Sequence, residues 1–250
     1  MSKTKAPETP AAPPEGAAPP PPGPLFYRRP ELLNPAAHGT WRLKPGGVGF
    51  TAEANWVPVM ASEFIAAGQS YPVIFAGAEH VPVAVLGFTQ RNRFVKGEEW
   101  QSDAYMPAYV RRYPFVFAQV EGGFALAIDA DAPNVVKSAG EDGEPLFVDG
   151  KPSLFTQQAM QFCEAYSRES ATTQAFVKLL EEQKLLVERT VNITLPQETR
   201  PALTGFSVVD DQAFAQLPDA TIADWHRKGW LALIYAHLGS LVRFRALLVP

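Results

Sequence analysis

The apolar positions of this chain keep two different periods. From Phe26 to Asp149 they fall in short β-branched and aromatic runs, the pattern of half-buried or buried strands. Trp56-Val-Pro-Val-Met60, Tyr71-Pro-Val-Ile-Phe-Ala76 and Val81-Pro-Val-Ala-Val-Leu-Gly-Phe88 predict strands, with Gly77-Ala-Glu-His80 as a hairpin connection between the last two. Phe115–Val120 and Phe124–Asp129 predict a second hairpin around Glu121-Gly-Gly123. Pro72 and Pro82 stand near strand starts, where a missing N–H does least harm. Ala61–Ala67 predicts one short helix between strands.

From Lys151 the period becomes helical. Phe155, Ala159, Phe162 and Tyr166 share one face of an amphipathic helix, with Ser153 as its cap. A second helix is predicted from Ser170, carrying Phe176, Leu179 and Leu180. Strand character returns at Val191–Leu195 and Leu203–Val209, followed by short helices over Asp211–Leu217 and Asp219–Lys228, the latter ended by Gly229. A last helical stripe runs through Trp230, Leu233, Ile234, His237, Leu241 and Phe244. The expected fold class is α+β, with a β-rich first half, a helix-rich second half and no internal repeat.

Composition changes this picture at the N-terminus. Residues 1–24 hold 9 of the 24 prolines and no aromatic residue. Such a segment buries too little apolar area to offset its ordering entropy, which predicts a disordered, partly polyproline-II tail. Residues 25–250 are then expected to form a single α+β domain. Pro19–Pro22 permits a proline-recognising partner but carries little information.

Charge and hydropathy exclude two classes. With 22 basic and 26 acidic residues the net charge is −4, which argues against a dedicated nucleic-acid binder. Lys3 and Lys5 lead into no apolar signal core. The longest uncharged, apolar-rich run is Gly229–Val242, followed by Arg243 and Arg245. A spanning helix needs about 20 apolar residues, so no transmembrane segment is expected and the protein reads as made in the cytoplasm. The single cysteine, Cys163, rules out an intrachain disulfide and a multi-cysteine zinc site. On the stripe beside Phe162 and Tyr166 it reads as buried apolar filler.

The densest candidate chemistry is Arg111-Arg112-Tyr113-Pro114-Phe115, preceded by Tyr109. Two guanidiniums beside two phenols can clamp a carboxylate or phosphate of an anionic small ligand. The competing reading pairs the arginines with carboxylates at the core edge, Asp103, Asp129 or Glu63, while the rings pack. If the block is extended, the two arginines face opposite ways and one of them is structural. His80, after Glu79 in the predicted hairpin connection, is a further candidate ligand-binding residue. The four histidines lack metal-ligand spacing, and His237 reads as a hydrogen-bonded core residue. Asp129-Ala-Asp131 reads as a solvated strand end. Lys44-Pro-Gly-Gly-Val-Gly49 lacks the strand-to-helix context of a phosphate cradle and reads as a turn. No nucleophile elbow or dinucleotide fingerprint is present, so no cofactor and no metal is expected, and the motifs name no catalytic residue.

Several stretches together resemble the bacterial SapC family. They are Tyr71-Pro-Val-Ile-Phe75, Ala84-Val-Leu-Gly87, Asn92-x-Phe94 with Trp100, Gly143-x-Pro-Leu-Phe147, Leu203-x-Gly-Phe206 and Gly229-x-Leu231 through Ile234-Tyr-Ala-His-Leu238. The most specific block is Tyr105-x-Pro-Ala-Tyr-Val-Arg-Arg-Tyr-Pro-Phe115. The resemblance spans roughly Phe26 to Leu248. It implies a link to a surface-layer locus, hence signal-less export or cell-surface association and a protein partner, and it supplies no catalytic residue. It does not extend to the peptide-transport permease subunit of the same name, which spans membranes. Two function classes remain at this point. One is a non-enzymatic accessory, surface-layer-associated protein that binds a partner. The other is an enzyme or small-molecule binder using the Tyr/Arg block for an anionic ligand. Convergence of Arg111, Arg112, Tyr113, His80 and Asp129 on one pocket would favour the second.

Overall fold

The structure, a computed structural model, describes residues 24–248 apart from 139, 141, 196 and 197. The expected disordered tail, as far as residue 23, lies outside the described residues. The fold is α+β, with the first half β-rich and the second dominated by helices.

The predicted strands form, joined by others that the apolar runs did not show, Pro30–Leu32 among them. β1 (Pro30–Leu32), β2 (Trp56–Pro58), β3 (Val73–Ala76), β4 (Val81–Val85), β5 (Phe115–Val120) and β6 (Gly123–Asp129) occupy the first half. Late in the chain, β7 (Leu186–Leu195) and β8 (Glu198–Val209) make a hairpin longer than the apolar runs indicated. The main sheet is antiparallel, in the order β7-β8-β3-β4-β2. A second antiparallel sheet has the order β1-β6-β5.

Period-2 alternation gives the main sheet two buried faces. Val73, Phe75 and Ala84 point to one face, where they pack with Phe64, Phe176, Leu180 and Ile234. Ile74, Val83 and Val85 point to the other, which Leu247 closes with Leu241 and Phe244. Those last residues belong to a 3-10 segment, Leu241–Leu247, not to the helical stripe in which the sequence placed Leu241 and Phe244.

Besides a single turn at Pro35–His38, the helices are α1 (Phe64–Gly68), α2 (Ala108–Arg111), α3 (Leu154–Glu182), α4 (Asp211–Ala215), α5 (Asp219–Lys228) and α6 (Trp230–Ser240). Gly229 separates α5 from α6 at φ 78°, a left-handed conformation that glycine adopts without a Cβ penalty. None of these helices is long and apolar enough to cross a membrane, among the described residues.

The two predicted central helices are one. α3 runs 29 residues, about 43 Å at 1.5 Å per residue. Its first half packs Phe155, Ala159 and Cys163 against the second sheet, and its last turns put Phe176, Val177 and Leu180 into the main core. Between them lies a polar stretch, and there the anchor is a hydrogen bond. Thr173 Oγ1 donates to Glu169 O and accepts from Ala61 N at 2.8 Å. The polar interruption breaks the apolar stripe, which is why the sequence reads as two helices there.

Candidate arginine–tyrosine cleft

The block containing Arg111 and Arg112 is a single helical turn rather than a strand. Pro107 opens α2, and the buried Glu63 carboxylate accepts the Ala108 N–H at 2.7 Å. Glu63 also accepts from Met60 N at 2.8 Å and from the Tyr105 hydroxyl at 2.8 Å. It is thus the acid that fixes the start of α2. The expectation that adjacent arginines face opposite ways as strand neighbours is therefore replaced. Arg111 closes the turn and Arg112 caps it.

Arg111 is exposed. Its Nε donates to Met106 O at 3.1 Å and its Nη2 to the Tyr105 hydroxyl at 3.2 Å. Because that hydroxyl donates onward to Glu63, Arg111 reaches a carboxylate at one remove. Burial first, and then the Glu63 charge and hydrogen bond, push the Tyr105 phenol up to about 12, so it stays a donor at neutral pH.

Arg112 is partnered differently. Its guanidinium carbon lies 4.2 Å from the Tyr166 ring centroid, 4.3 Å from Tyr109 and 5.6 Å from Tyr27. Its Nε is buried without a hydrogen-bond partner. Among the described residues no carboxylate pairs with it, and two of the expected partners are engaged elsewhere, Glu63 with Tyr105 and Ala108 and Asp129 with Tyr113. Burial works against the charge, but the surrounding phenols outweigh it and hold the pKa above the usual arginine value. The phenols stay protonated. Burial drives Tyr27 and Tyr166 well above the tyrosine range. Tyr27 donates to Phe115 O at 2.6 Å and Tyr109 to Leu25 O at 3.0 Å.

Tyr113 and Asp129 form the next layer. The Tyr113 hydroxyl donates to Asp129 Oδ2 at 3.0 Å, and its ring stacks on Phe50 at 4.2 Å. Asp129 is fully buried, against the expectation of a solvated strand end. Its carboxylate also accepts the N–H groups of Arg28, Arg29 and Asp131 at 2.8–3.2 Å. Burial pushes its pKa up, but these donors outweigh it and hold the group below the usual carboxylate range. The signal for this role is not in the side chains of the sequence, since three of the four donors are backbone.

Arg111, Arg112 and Tyr113 line one cleft of about 640 Å³. Phe115, Phe155, Phe162 and Cys163 give it an apolar wall. Burial pushes the Cys163 thiol up to about 11, which suits a packing role rather than a nucleophile. Tyr109 supports Arg112 from within the cage. His80 is elsewhere: it sits in the turn between β3 and β4, and its Nδ1 meets Glu181 at 2.7 Å. None of the four histidines lines this cleft.

The glycine-rich turn forms the opposite rim. A neighbouring cleft of about 980 Å³ shares Lys44, Pro45, Gly46, Arg111, Tyr113 and Asn134 with the first, so the two meet along that line. The turn is pinned from both sides. Val48 N donates to Glu98 O at 2.9 Å and Gly49 N to Glu98 Oε2 at 3.1 Å. Lys44 N donates to Asn134 O at 3.0 Å, and Asn134 Nδ2 returns a bond to Lys44 O at 3.3 Å. Asn134 Oδ1 is buried without a partner. Sequence reasoning missed Tyr27, Tyr166, Asn134 and Glu98 as contributors, because each comes from a segment far from the Arg/Tyr block. Among the described residues no cluster of histidine, cysteine, aspartate and glutamate has the arrangement of a metal site.

No curated protein and no solved structure matches the chain. A family model described as SapC matches residues 33–247. The matched span takes in the arginine–tyrosine turn, the long helix and the main sheet, and the chain belongs to the SapC family.

Proposed function

We propose that this SapC-family protein is an accessory protein that binds a small anionic ligand in the cleft lined by Arg111, Arg112 and Tyr113. One observation carries the reading: Arg112 lines a cleft, is largely shielded from solvent, and has aromatic faces against it but no carboxylate paired with it, among the described residues. A guanidinium cannot shed its charge. Cation–π contact returns about 2 kcal/mol when desolvated, while an unpaired buried charge costs several. An anion in the cleft supplies the missing counter-charge, and the planar fork suits bidentate contact. The association with a cell-surface coat is carried by the family resemblance rather than by any group in the cleft.

The test is isothermal titration of the full chain with acetate, inorganic phosphate and phenylacetate, beside Arg112→Met. Binding of at least one anion, weakened tenfold or more in a variant whose melting is preserved, supports the reading. Failure of all three to bind the wild-type chain overturns it.

A further inference from the structure

The lining of the cleft says more than that the ligand is anionic. Its charged groups stand beside a wall of Phe115, Phe155 and Phe162 with Leu43 and Cys163, most of which belong to one buried cluster with the second sheet. An inorganic anion would neutralise the arginines and leave the half-buried Phe155 and Phe162 rings of that wall wet. A volume of about 640 Å³ falls in the range of sites that enclose a whole organic molecule.

The other rim argues against a phosphate group. Phosphate cradles present free backbone N–H groups from glycine-rich turns. Here the Val48 and Gly49 N–H groups of the glycine turn are already taken by Glu98. Gly47 is closed off as well, since a Cβ built on it would lie 2.3 Å from Glu98 Cβ, so the turn is packed on Glu98 and does not stand open as a nest. Glu144 also lines the cleft and disfavours a second negative charge on the ligand. Asn134 carries a buried acceptor, Oδ1, with no donor assigned to it.

Resting on the binding reading above, we infer that the ligand is a monocarboxylate with an apolar aromatic or aliphatic body. Its carboxylate meets the Arg111 and Arg112 guanidiniums. Its body lies along the phenylalanine wall.

The experiment is a chain-length series on the full chain: acetate, butanoate, hexanoate and octanoate, with phenylacetate and inorganic phosphate alongside, measured by isothermal titration. Each buried methylene should tighten binding about threefold to fourfold. Octanoate and phenylacetate should then bind far more tightly than acetate or phosphate. Arg111→Gln, at an exposed position, should weaken octanoate at least fivefold with the melting temperature preserved. Phe162→Ser, which removes part of the apolar wall, should flatten the chain-length slope. If affinity is independent of chain length, or phosphate binds more tightly than octanoate, the ligand class is wrong while the anion site stands. If no anion binds, both readings fall.

Discussion

The guanidinium carbon of Arg112 stands 4.2 Å from the ring centroid of Tyr166, and this pair joins the α2 turn to the long helix α3. The contact is between a cation and a π face, so the ring matters and the hydroxyl does not. Tyr166→Phe should leave the urea midpoint nearly unchanged. Tyr166→Leu should lower stability by about 1–2 kcal/mol. Equal losses in the two variants would show that the hydroxyl, and not the face, holds Arg112.

Arg112 itself should separate stability from binding. A buried charge replaced by an apolar side chain of similar volume is often neutral or stabilising. Arg112→Met should therefore shift stability by no more than about 1 kcal/mol while abolishing anion binding. Arg112→Lys keeps a charge but loses the flat face on the tyrosines, and should cost about 1–3 kcal/mol. Denaturant melts of the two variants check the ranking. A methionine variant less stable than the lysine variant would make Arg112 structural.

His237 predicts a pH dependence. Its imidazole lies between two strands that splay apart, accepting the Val209 N–H at Nε2 (3.0 Å) and donating from Nδ1 to Val73 O at 2.8 Å. Burial pushes its pKa down to about 4, against a smaller upward pull from the Val73 bond. The unfolded chain takes up this proton near pH 6.5 and the folded chain does not until about 4. Stability is therefore complete above pH 6.5 and falls as pH drops towards 4, by about 3 kcal/mol in all. Urea midpoints from pH 7.5 to 4 should show that decline. His237→Gln should be less stable at pH 7.5 and lose the slope.

The glycine turn gives a paired prediction. A Cβ at Gly49 would meet only the far end of Glu98, at 2.4 Å from Oε1, whereas at Gly47 it would meet Glu98 Cβ at 2.3 Å and its backbone oxygen at 2.6 Å. Gly49→Ala should cost about 1 kcal/mol, the worth of the displaced hydrogen bond. Gly47→Ala should cost more, because backbone must move, and Glu98→Ala should not rescue it. Thermal melts of the two single variants and the Gly47→Ala/Glu98→Ala double variant decide this.

The strands were legible because a run of β-branched and aromatic residues is a local property. That Val73 and Phe75 face one core while Ile74, Val83 and Val85 face another came only with the structure. The continuity of α3 was not, because its middle is held by Thr173 through hydrogen bonds and carries no apolar stripe. The same divide runs through the site. The Arg111-Arg112-Tyr113 block could be singled out by composition, and His237 by its place on an apolar stripe. Asp129 could not be read, because its partners are mostly backbone N–H groups brought by the residues just before β1 and the turn after β6. Tyr27 and Tyr166 reach Arg112 from distant elements, and nothing in the spacing links them to it. His80 misled, since a histidine in a tight turn looks available until Glu181 arrives from the end of α3.

The unbroken course of α3 makes it a lever. Phe162 lines the cleft, and Leu180 lies about 27 Å further along the same rigid rod, inside the main core. A molecule that grips the first half of the rod resists every fluctuation that would tilt or fray the second. Occupancy of the cleft would then be felt as slower hydrogen exchange at the far end, around Phe176 and Leu180, where no ligand atom touches the protein.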